Sequence, residues 1–432
     1  MADEGHQVGN EVKMNCHTIR HNLFYQHRKS NRICSLLTLH PPVNPAFSSP
    51  VGGRKSVLLE FPAGRSSVYT HRQMRRAVFT RLRLLLPSIP TIASAFLFSC
   101  SVLPSAALAQ AAHASNTDLT IYAIDVEGGQ ATLLIAPSGG SLLVDTGWPG
   151  NHGRDAGRIQ AAMKDAGISE IDKVLITHFH TDHVGGVPNL VERVKVGEFM
   201  DHGVNREDSD ITRKDYAAYV KAIGNTPRRT LHPGDNIHIP GVNVVVLAAD
   251  GEHTKAVPAV KPTPNSLCAS EPKWDLDTTE NPRSAGIIVR FGRFRFLDLG
   301  DLTKAKEIPL VCPENLIGHI DLYLVDHHGM NLSNSRAFVD AIHPRVAIMD
   351  NGAHKAGSPE AWQTVHESPG LLDLWMLHTA EGSDAAHNSA DPLIANLKGG
   401  SDGHWLKVVA SGDGSFTVTN ARTGQAKVYK AQ

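Results

Sequence analysis

The stretch 177–186 constrains this chain most strongly, because it places four metal-ligand side chains within six residues. It reads Thr-His-Phe-His-Thr-Asp-His-Val-Gly-Gly and follows a short apolar run. Side chains of these types cannot all be buried beside a strand without partners, because burying unpaired polar groups is costly. Imidazole and carboxylate groups are the ligands that borderline and hard divalent cations prefer. The stretch therefore predicts a metal site, in which His178 and His180 reach one ion and Asp182 and His183 reach a second.

Strand-like and helical segments alternate on both sides of this stretch. Two groups of strands, each followed by helices, predict an α/β fold of four layers, with two sheets between outer helices. A Gly-Asp-Gly turn late in the chain predicts a closing hairpin. Strands are predicted at 119–125, 131–136, 141–145, 173–177, 196–200, 242–248, 285–291, 293–299, 321–325, 345–349, 372–377, 404–411 and 415–419, and helices at 154–166, 187–194, 212–223, 335–342 and 359–366.

Residues 74–109 have the pattern of a secretory signal peptide. A basic start leads into an apolar run at 89–103 and then into a small-x-small triplet at 107–109. Prolines and serines interrupt the apolar run, which makes it poorly suited to span a bilayer. Residues 1–73 lack sustained periodicity, and we interpret them as a disordered leader or as the result of a start assigned too far upstream. One folded domain is predicted for 110–432.

The charge of the chain is divided unevenly. Residues 1–109 carry 13 basic and 4 acidic side chains, whereas the remainder carries 29 basic and 39 acidic ones. Proteins that hold nucleic acid mainly through its phosphates usually present a basic face. The acidic balance of the predicted domain therefore argues against long nucleic acid as a partner and favours a small-molecule substrate.

The number and spacing of the cysteines limit which side chains could bind a metal. Of five cysteines, only Cys268 and Cys312 would remain after signal cleavage. In an oxidising compartment they are able to pair, but the sequence leaves their proximity open. No cysteines have zinc-ribbon spacing, so histidines and carboxylates must supply the ligands.

The His-x-His-x-Asp-His sequence after a strand resembles the signature of the metallo-β-lactamase superfamily. The resemblance implies a four-layer αββα sandwich, with Asp145 supporting the ligands and Asp301 bridging the two metals. In the superfamily's last motif, which corresponds to Asp-His-His-Gly at 326–329 here, a histidine binds metal. His328 directly precedes the glycine and fits that ligand better than His327 does. Three further stretches fit that superfamily in the same order: Leu142–Gly147 (LLVDTG), Phe296–Asp301 (FLDLGD) and Asp326–Gly329 (DHHG).

The resemblance also implies a mechanism. Two divalent ions, with Zn²⁺ expected first and Mn²⁺ as the alternative, would be bridged by Asp301 and by a hydroxide that attacks the substrate. Asp182 and His327 are predicted to take part in catalysis, the first as a ligand and the second as a proton donor or substrate contact. The superfamily's third motif, another histidine for the first ion, has no clear match. His202 is the candidate for this missing ligand of the first ion, and His253 is the alternative.

The branch that the chain most resembles is the hydrolase domain of bacterial DNA-uptake (competence) channel proteins. The likeness rests on 125–131, 281–284 and 327–335, and it extends from 119 to about 340. Those proteins carry many membrane helices, whereas this sequence shows no apolar segment of that kind after Leu103. The resemblance therefore implies the hydrolytic module alone.

Together these patterns predict an exported hydrolase, periplasmic or secreted, without a membrane span after signal cleavage. Lipid attachment is the alternative, because 97–100 (LFSC) faintly resembles a lipid-attachment box. A phosphoester or phosphodiester is the predicted substrate. A carbonyl hydrolase acting on a lactone, lactam or other ester or amide is the alternative. The sequence leaves the oligomeric state open.

Overall fold

The structure, a computed structural model, describes residues 117–399 and 402–432. The predicted leader at 1–73 and the predicted signal peptide at 74–109 lie outside these residues. The strands, in chain order, are β1 (Leu119–Ala123), β2 (Thr132–Ile135), β3 (Ser141–Val144), β4 (Glu170–Leu175), β5 (Lys195–Asp201), β6 (Arg228–Thr230), β7 (Asn236–Ile239), β8 (Val242–Ala249), β9 (Glu252–His253), β10 (Thr263–Pro264), β11 (Gly286–Phe291), β12 (Phe294–Asp298), β13 (Glu314–Asn315), β14 (Leu322–Leu324), β15 (Val346–Met349), β16 (Asp373–His378), β17 (Ile394–Asn396), β18 (Leu406–Ala410), β19 (Phe416–Asn420) and β20 (Ala426–Tyr429).

Helices connect these strands. The α-helices are α1 (Arg154–Ala166), α2 (Thr181–Val184), α3 (Val187–Val191), α4 (Asp210–Ile223), α5 (Lys304–Glu307), α6 (Arg336–Ile342) and α7 (Pro359–His366). Short 3₁₀ helices occupy Asn151–Gly153, Ser266–Ala269, Asn281–Arg283, Ile308–Leu310, Asp326–Gly329, Ala385–His387 and Asp391–Leu393.

Local sequence signals set the ends of the longer helices. Ser209, Ser335 and Ser358 precede α4, α6 and α7, and each hydroxyl accepts a hydrogen bond from a free backbone N–H of the first turn. Pro359 begins α7, where its missing N–H costs nothing. Gly167 ends α1 in the left-handed conformation.

Parallel pairing places several strand ends at the same edges. The first sheet has the order β20-β19-β18-β1-β2-β3-β4-β5-β6, and β3 to β6 run parallel. The second has the order β17-β16-β15-β14-β12-β11-β8-β7, with β9 on β8, and β12, β14, β15, β16 and β17 run parallel. The loops after β3, β4, β12, β14 and β15 carry the polar residues described below.

Three apolar cores separate four layers. The core between the sheets includes Leu142 of β3 and Ile287 of β11. Outside the first sheet, Ile159 of α1 and Tyr219 of α4 cover its other face. Outside the second sheet, Phe338 of α6 does the same. Each large apolar side chain buried in this way stabilises the fold by roughly 1.5–3 kcal/mol, and the predicted αββα sandwich is confirmed.

The C-terminal hairpin does more than close the chain. β18 pairs antiparallel with β1, so that Leu119 lies opposite Ala410, and the hairpin extends the first sheet. The strands β6, β7, β9, β10, β13, β17 and β20 were not predicted. β6 is short and polar, and β20 is an exposed edge strand, so neither shows the apolar alternation by which strands are identified in a sequence.

A disulfide joins Cys268 to Cys312, which are 44 residues apart, and it answers the question that the sequence left open. Closing a loop of this length removes conformational entropy from the unfolded chain and stabilises the fold by up to about 4 kcal/mol. We therefore expect Cys268→Ser/Cys312→Ser to lower the free energy of unfolding by a few kcal/mol, measured by urea denaturation. Treating the wild-type protein with a reductant should reproduce the loss. An unchanged unfolding midpoint in both cases would show that the bond does not form.

Candidate metal centre

Asp145 connects the loops after β3 and β4. Its carboxylate accepts hydrogen bonds from the Thr177 backbone N–H at 2.8 Å and from the Thr177 hydroxyl at 2.6 Å. The same carboxylate lies 2.7 Å from Nδ1 of His183. Asp145 has a φ of 59°, a left-handed conformation that aspartate tolerates better than most residues. The structure thus places Asp145 in contact with His183, a histidine of the motif.

Two glycines allow the loops to approach closely. A Cβ on Gly186 would lie 2.0 Å from the Thr146 carbonyl oxygen, although Gly186 itself has an ordinary helical φ of −75°. A Cβ on Gly300, which has a φ of +58°, would lie 2.9 Å from the Thr177 Cβ. Close packing, and not a sharp turn, therefore explains the glycine after the histidine motif.

Asp301 lies between two groups of imidazoles. Its Oδ1 is 3.2 Å from Nε2 of His183 and 3.3 Å from Nε2 of His328. Its Oδ2 is 3.8 Å from Nε2 of His178 and 3.3 Å from Nε2 of His327. Among the described residues, none donates a hydrogen bond to Oδ1, although that atom is buried. A carboxylate in this position is able to serve a cation on either side.

The first cluster consists of His178, His180 and Asp301, whose ligand atoms lie within 4.8 Å of one another. Nε2 of His178 is 3.0 Å from Nδ1 of His180. Two imidazole nitrogens that face each other at this distance leave room for only one proton, whereas a cation would satisfy both lone pairs.

The second cluster consists of Asp182, His183, Asp301 and His328, which are all buried. Nε2 of His328 lies 3.2 Å from Nε2 of His183 and 3.4 Å from Oδ2 of Asp182. Nε2 of His183 lies 3.5 Å from the same Asp182 oxygen. Nitrogen and oxygen donors that converge in this number fit a divalent cation.

The opposite nitrogen of each imidazole faces a second side chain. Nε2 of His180 lies 2.8 Å from a Glu207 oxygen. Nδ1 of His328 lies 3.2 Å from an Asp350 oxygen, although the two atoms do not have hydrogen-bond geometry. Nδ1 of His178 lies 3.0 Å from the Thr177 hydroxyl. Histidines that bind metals usually have such a partner, because it fixes the ring's orientation and tautomer. The arrangement therefore fits a two-metal site in both its inner and its outer contacts.

The electrostatic environment keeps the acidic ligands charged. Burial opposes ionisation of Asp182, but Lys355 and His183 outweigh it and hold the pKa of Asp182 well below its usual range. For Asp301 burial again acts in the opposite direction, and the imidazoles of His183 and His327 hold its pKa well below that range. Both carboxylates are thus anionic at neutral pH, as metal ligands must be.

The histidines of the site differ in the direction of their pKa shifts. Burial lowers the pKa of His178 well below its usual value, and burial lowers that of His327 to about 4. Burial alone would lower the pKa of His328, but Asp301, Asp350 and Asp182 together outweigh it and raise the pKa to about 9. In the absence of a cation, His178 and His327 are therefore neutral at neutral pH.

Not every predicted ligand reaches the clusters. His202 is buried, but its Nε2 lies 2.8 Å from a Glu280 oxygen, outside both groups. His253 lies on β9 and is also outside them. His327 faces Oδ2 of Asp301, while its Nδ1 lies 3.2 Å from the Ser333 hydroxyl. The structure thus brings together His178, His180, Asp182, His183, Asp301 and His328, with His327 beside them, and leaves His202 apart.

Lys355 is a residue of the site that the sequence did not reveal. Its ammonium contacts the Asp182 carboxylate, lies 2.5 Å from the Gly128 carbonyl oxygen and sits 5.2 Å from the centre of the Trp148 ring. No motif marks this lysine, and 173 residues separate it from Asp182. It supplies a positive charge directly beside the second cluster.

Replacing Asp145 with asparagine should weaken metal binding without unfolding the protein. Asparagine accepts the left-handed conformation, but it lacks the negative charge that holds His183. The loss of such a supporting carboxylate typically costs 10–100-fold in metal affinity, and we expect roughly tenfold here. Zinc competition against a chromophoric chelator measures this, with Asp210→Asn at an exposed carboxylate as the matched control. If Asp145→Asn bound zinc like the control, the proposed support would be refuted.

Comparison with known proteins gives a consistent family match. A family model described as the metallo-beta-lactamase superfamily matches residues 125–348, just over half of the chain. Recombination protein 2 of Haemophilus influenzae is 26% identical over 231 residues, which cover 53% of this chain and 24% of that protein. Lactamase-like protein adaB of Aspergillus niger is 30% identical over 128 residues, which cover 28% of this chain and 32% of that one. The chain therefore spans about a quarter to a third of the length of these relatives.

Solved structures show more distant similarities. The metallo-beta-lactamase fold protein YhfI of Bacillus subtilis is 11% identical, with a TM-score of 0.37, and the match covers 60% of this chain and 96% of that one. CmlA, a diiron beta-hydroxylase from Streptomyces venezuelae, is 18% identical, with a TM-score of 0.32, and the match covers 58% and 47%. Similarities at this level do not bear on the chemistry of this chain.

Proposed function

This chain belongs to the metallo-β-lactamase superfamily, whose members are mostly hydrolases, and on that premise we propose that it hydrolyses small phosphoesters or phosphodiesters. The observation that carries the proposal is the position of Asp301 between two groups of buried imidazoles, with the Lys355 ammonium beside the second group. The donor set supports a pair of divalent cations, and we propose Zn²⁺ as the native metal with Mn²⁺ as the alternative.

The two clusters divide the ligands between the proposed ions. His178, His180 and Asp301 would hold the first, and Asp182, His183, Asp301 and His328 would hold the second. When two divalent cations occupy such a site, they lower the pKa of a water toward neutrality and stabilise the negative charge that develops on the substrate.

Other residues of the chain orient these ligands. Asp145 fixes the ring of His183, and Glu207 fixes that of His180. Gln130 donates to both oxygens of Asp298, at 2.9 and 2.8 Å, which occupies that carboxylate and keeps it out of the clusters. The burial of the site excludes bulk water and strengthens the electrostatic interactions within it.

Lys355 favours an anionic substrate over a neutral one. Hydrogen bonds from an ammonium to an anionic oxygen are stronger than neutral ones. The acidic balance of 110–432 works against a long polyanion, because many phosphates would then approach a negatively charged surface. A small phosphoester or phosphodiester satisfies both conditions.

Export is proposed as well. The pattern at 74–109 is that of a cleavable signal, and the Cys268–Cys312 disulfide supports an oxidising compartment. Sequencing the amino terminus of the mature protein after cell fractionation tests this. A periplasmic or secreted product that begins near residue 110 is expected, and a cytosolic product with an intact start would refute it.

A substrate panel tests the proposed activity. Chelator-stripped protein would be reloaded with Zn²⁺ or Mn²⁺ and assayed on p-nitrophenyl phosphate, bis(p-nitrophenyl) phosphate, a chromogenic lactam and a chromogenic lactone. We expect metal-dependent turnover of at least one phosphate ester, lost in His178→Ala and retained in His232→Ala, a matched change at an exposed histidine. Turnover of the carbonyl substrates alone would refute the proposal and support the carbonyl-hydrolase alternative.

A further inference from the structure

A cavity of about 450 Å³ is lined in part by residues that closely follow two of the cluster residues along the chain. Thr303 follows Asp301 by two residues, and Asn331 follows His328 by three. The two walls are joined by a hydrogen bond from the Lys304 N–H to the Leu332 carbonyl oxygen at 3.0 Å. The cavity is therefore placed to hold part of any substrate that reacts at the clusters.

The rim of this cavity is unusually apolar for a protein surface. Among the described residues, eight large apolar side chains are exposed, and Trp274, Leu276 and Leu332 all line this one cavity. Their exposed fractions are 38%, 77% and 52%. Apolar side chains gathered around a concave site are typical of ligand pockets.

Two buried polar atoms in the lining lack partners. Oδ1 of Asn281 and Oγ1 of Thr303 are buried, and within the described part of the chain neither makes a hydrogen bond. The two residues are only 7% and 4% exposed. Leaving buried polar atoms unpaired is costly, so a polar atom of the ligand is expected beside these two residues, and its apolar part is expected against Trp274, Leu276 and Leu332.

The charges of the cavity disfavour an anionic occupant. The Lys304 ammonium donates to the Asn331 carbonyl oxygen at 2.6 Å and lies 4.5 Å from the centre of the Trp274 ring. Asp275 and Asp277 also line the cavity. Two carboxylates beside one ammonium disfavour a phosphoryl group in this cavity, and an uncharged apolar group is better placed here.

The wall that carries Trp274 is held in place on its N-terminal side. The Cys268–Cys312 disulfide links the residues just before this wall to Cys312. The indole N–H of Trp274 donates to Glu271 at 2.7 Å, and the other Glu271 oxygen accepts from the Ala337 N–H at 3.3 Å. An indole fixed in this way offers a preformed surface, which reduces the entropic cost of binding.

We propose that the cavity walled by Trp274, Leu276, Leu332, Asn281 and Thr303 binds the uncharged, apolar ester group of the substrate, while the phosphoryl centre lies at the clusters. This inference rests on the proposed function and narrows its substrate class to phosphodiesters that bear an aryl or similarly apolar substituent. A different cavity, of about 530 Å³, is lined by Ser141 and Asp172. Ser141 begins β3, so that cavity lies at the opposite end of the strand from the metal centre.

Binding measurements test the proposal independently of turnover. Calorimetric titration of the metal-loaded protein would compare diphenyl phosphate with dimethyl phosphate, two anions that differ only in their ester groups. We expect the wild type to bind diphenyl phosphate at least about tenfold more tightly, because a phenyl ring buries far more apolar surface than a methyl group. In Trp274→Ala/Leu332→Ala the ratio of the two affinities should fall toward one.

Leu372→Ala, at an exposed leucine that does not line the cavity, is the matched control and should keep the wild-type ratio. Equal affinities for the two phosphates in the wild type, no measurable binding of either, or an unchanged ratio in the double variant would overturn the proposal. If the preference is present but no phosphate ester is hydrolysed in the substrate panel, the proposed function fails while the pocket assignment stands.

Discussion

Replacing Asp301 with alanine is expected to lower turnover by at least about 10³-fold and to reduce the bound metal from two ions per chain to one or fewer. Asp301 is the residue that the two clusters share, with one oxygen facing each group of imidazoles. Its loss removes a ligand from both ions at once. Metal ions contribute several kcal/mol to such transition states, and each 1.36 kcal/mol corresponds to about a factor of ten in rate.

Steady-state kinetics and elemental analysis on the same preparation measure both effects. Asp210→Ala, at an exposed carboxylate outside both clusters, should behave like the wild type in both assays. Circular dichroism would confirm that each variant is folded. If Asp301→Ala kept its metal content and its turnover, this residue would not link the two clusters.

Replacing Lys355 with alanine should produce the second-largest loss, and the loss should depend on substrate charge. Hydrogen bonds to charged groups contribute roughly 1.5–3 kcal/mol, which corresponds to about 10–100-fold in kcat/KM for an anionic diester. A neutral phosphotriester presents no anionic oxygen to the ammonium, so its kcat/KM should change by less than about threefold. Comparing the two substrates separates an electrostatic role from general damage to the site.

Lys355→Arg should recover part of the activity, because it keeps the positive charge. Lys195→Ala removes an exposed lysine that pairs with Glu170 at the surface, and it should leave both substrates unaffected. Equal losses on the diester and the triester in Lys355→Ala would contradict the proposed role in binding an anion.

The inner residues of the candidate site were proposed from the sequence in two ways. The density of ligand side chains at 178–183 pointed to a metal site, and the resemblance to the superfamily motifs implied Asp145, Asp301 and His328. Asp145 follows β3, His178 and His183 follow β4, Asp301 follows β12 and His328 follows β14. A carboxylate or imidazole that directly follows an apolar run is visible in a sequence. Parallel pairing then brings such positions to common edges, so separation along the chain does not hide them.

The outer contacts were harder to predict. Glu207 and Glu280 come from loops, and each lies 2.8 Å from Nε2 of a histidine that is 27 or 78 residues away along the chain. Lys355 likewise lies in a loop after β15, without a surrounding motif. His202 ends a strand as a ligand would, but Glu280, 78 residues later, pairs with it. Contacts of this kind depend on loop conformation, which short sequence patterns do not specify.

The chelator-stripped protein, reloaded with zinc and freed of excess metal, provides the most direct test of the central claim. The convergence of His178, His180, Asp182, His183, Asp301 and His328 predicts close to two zinc ions per chain by elemental analysis. Wild-type protein that retains no zinc after this treatment, or that retains the same amount as His178→Ala, would contradict the account.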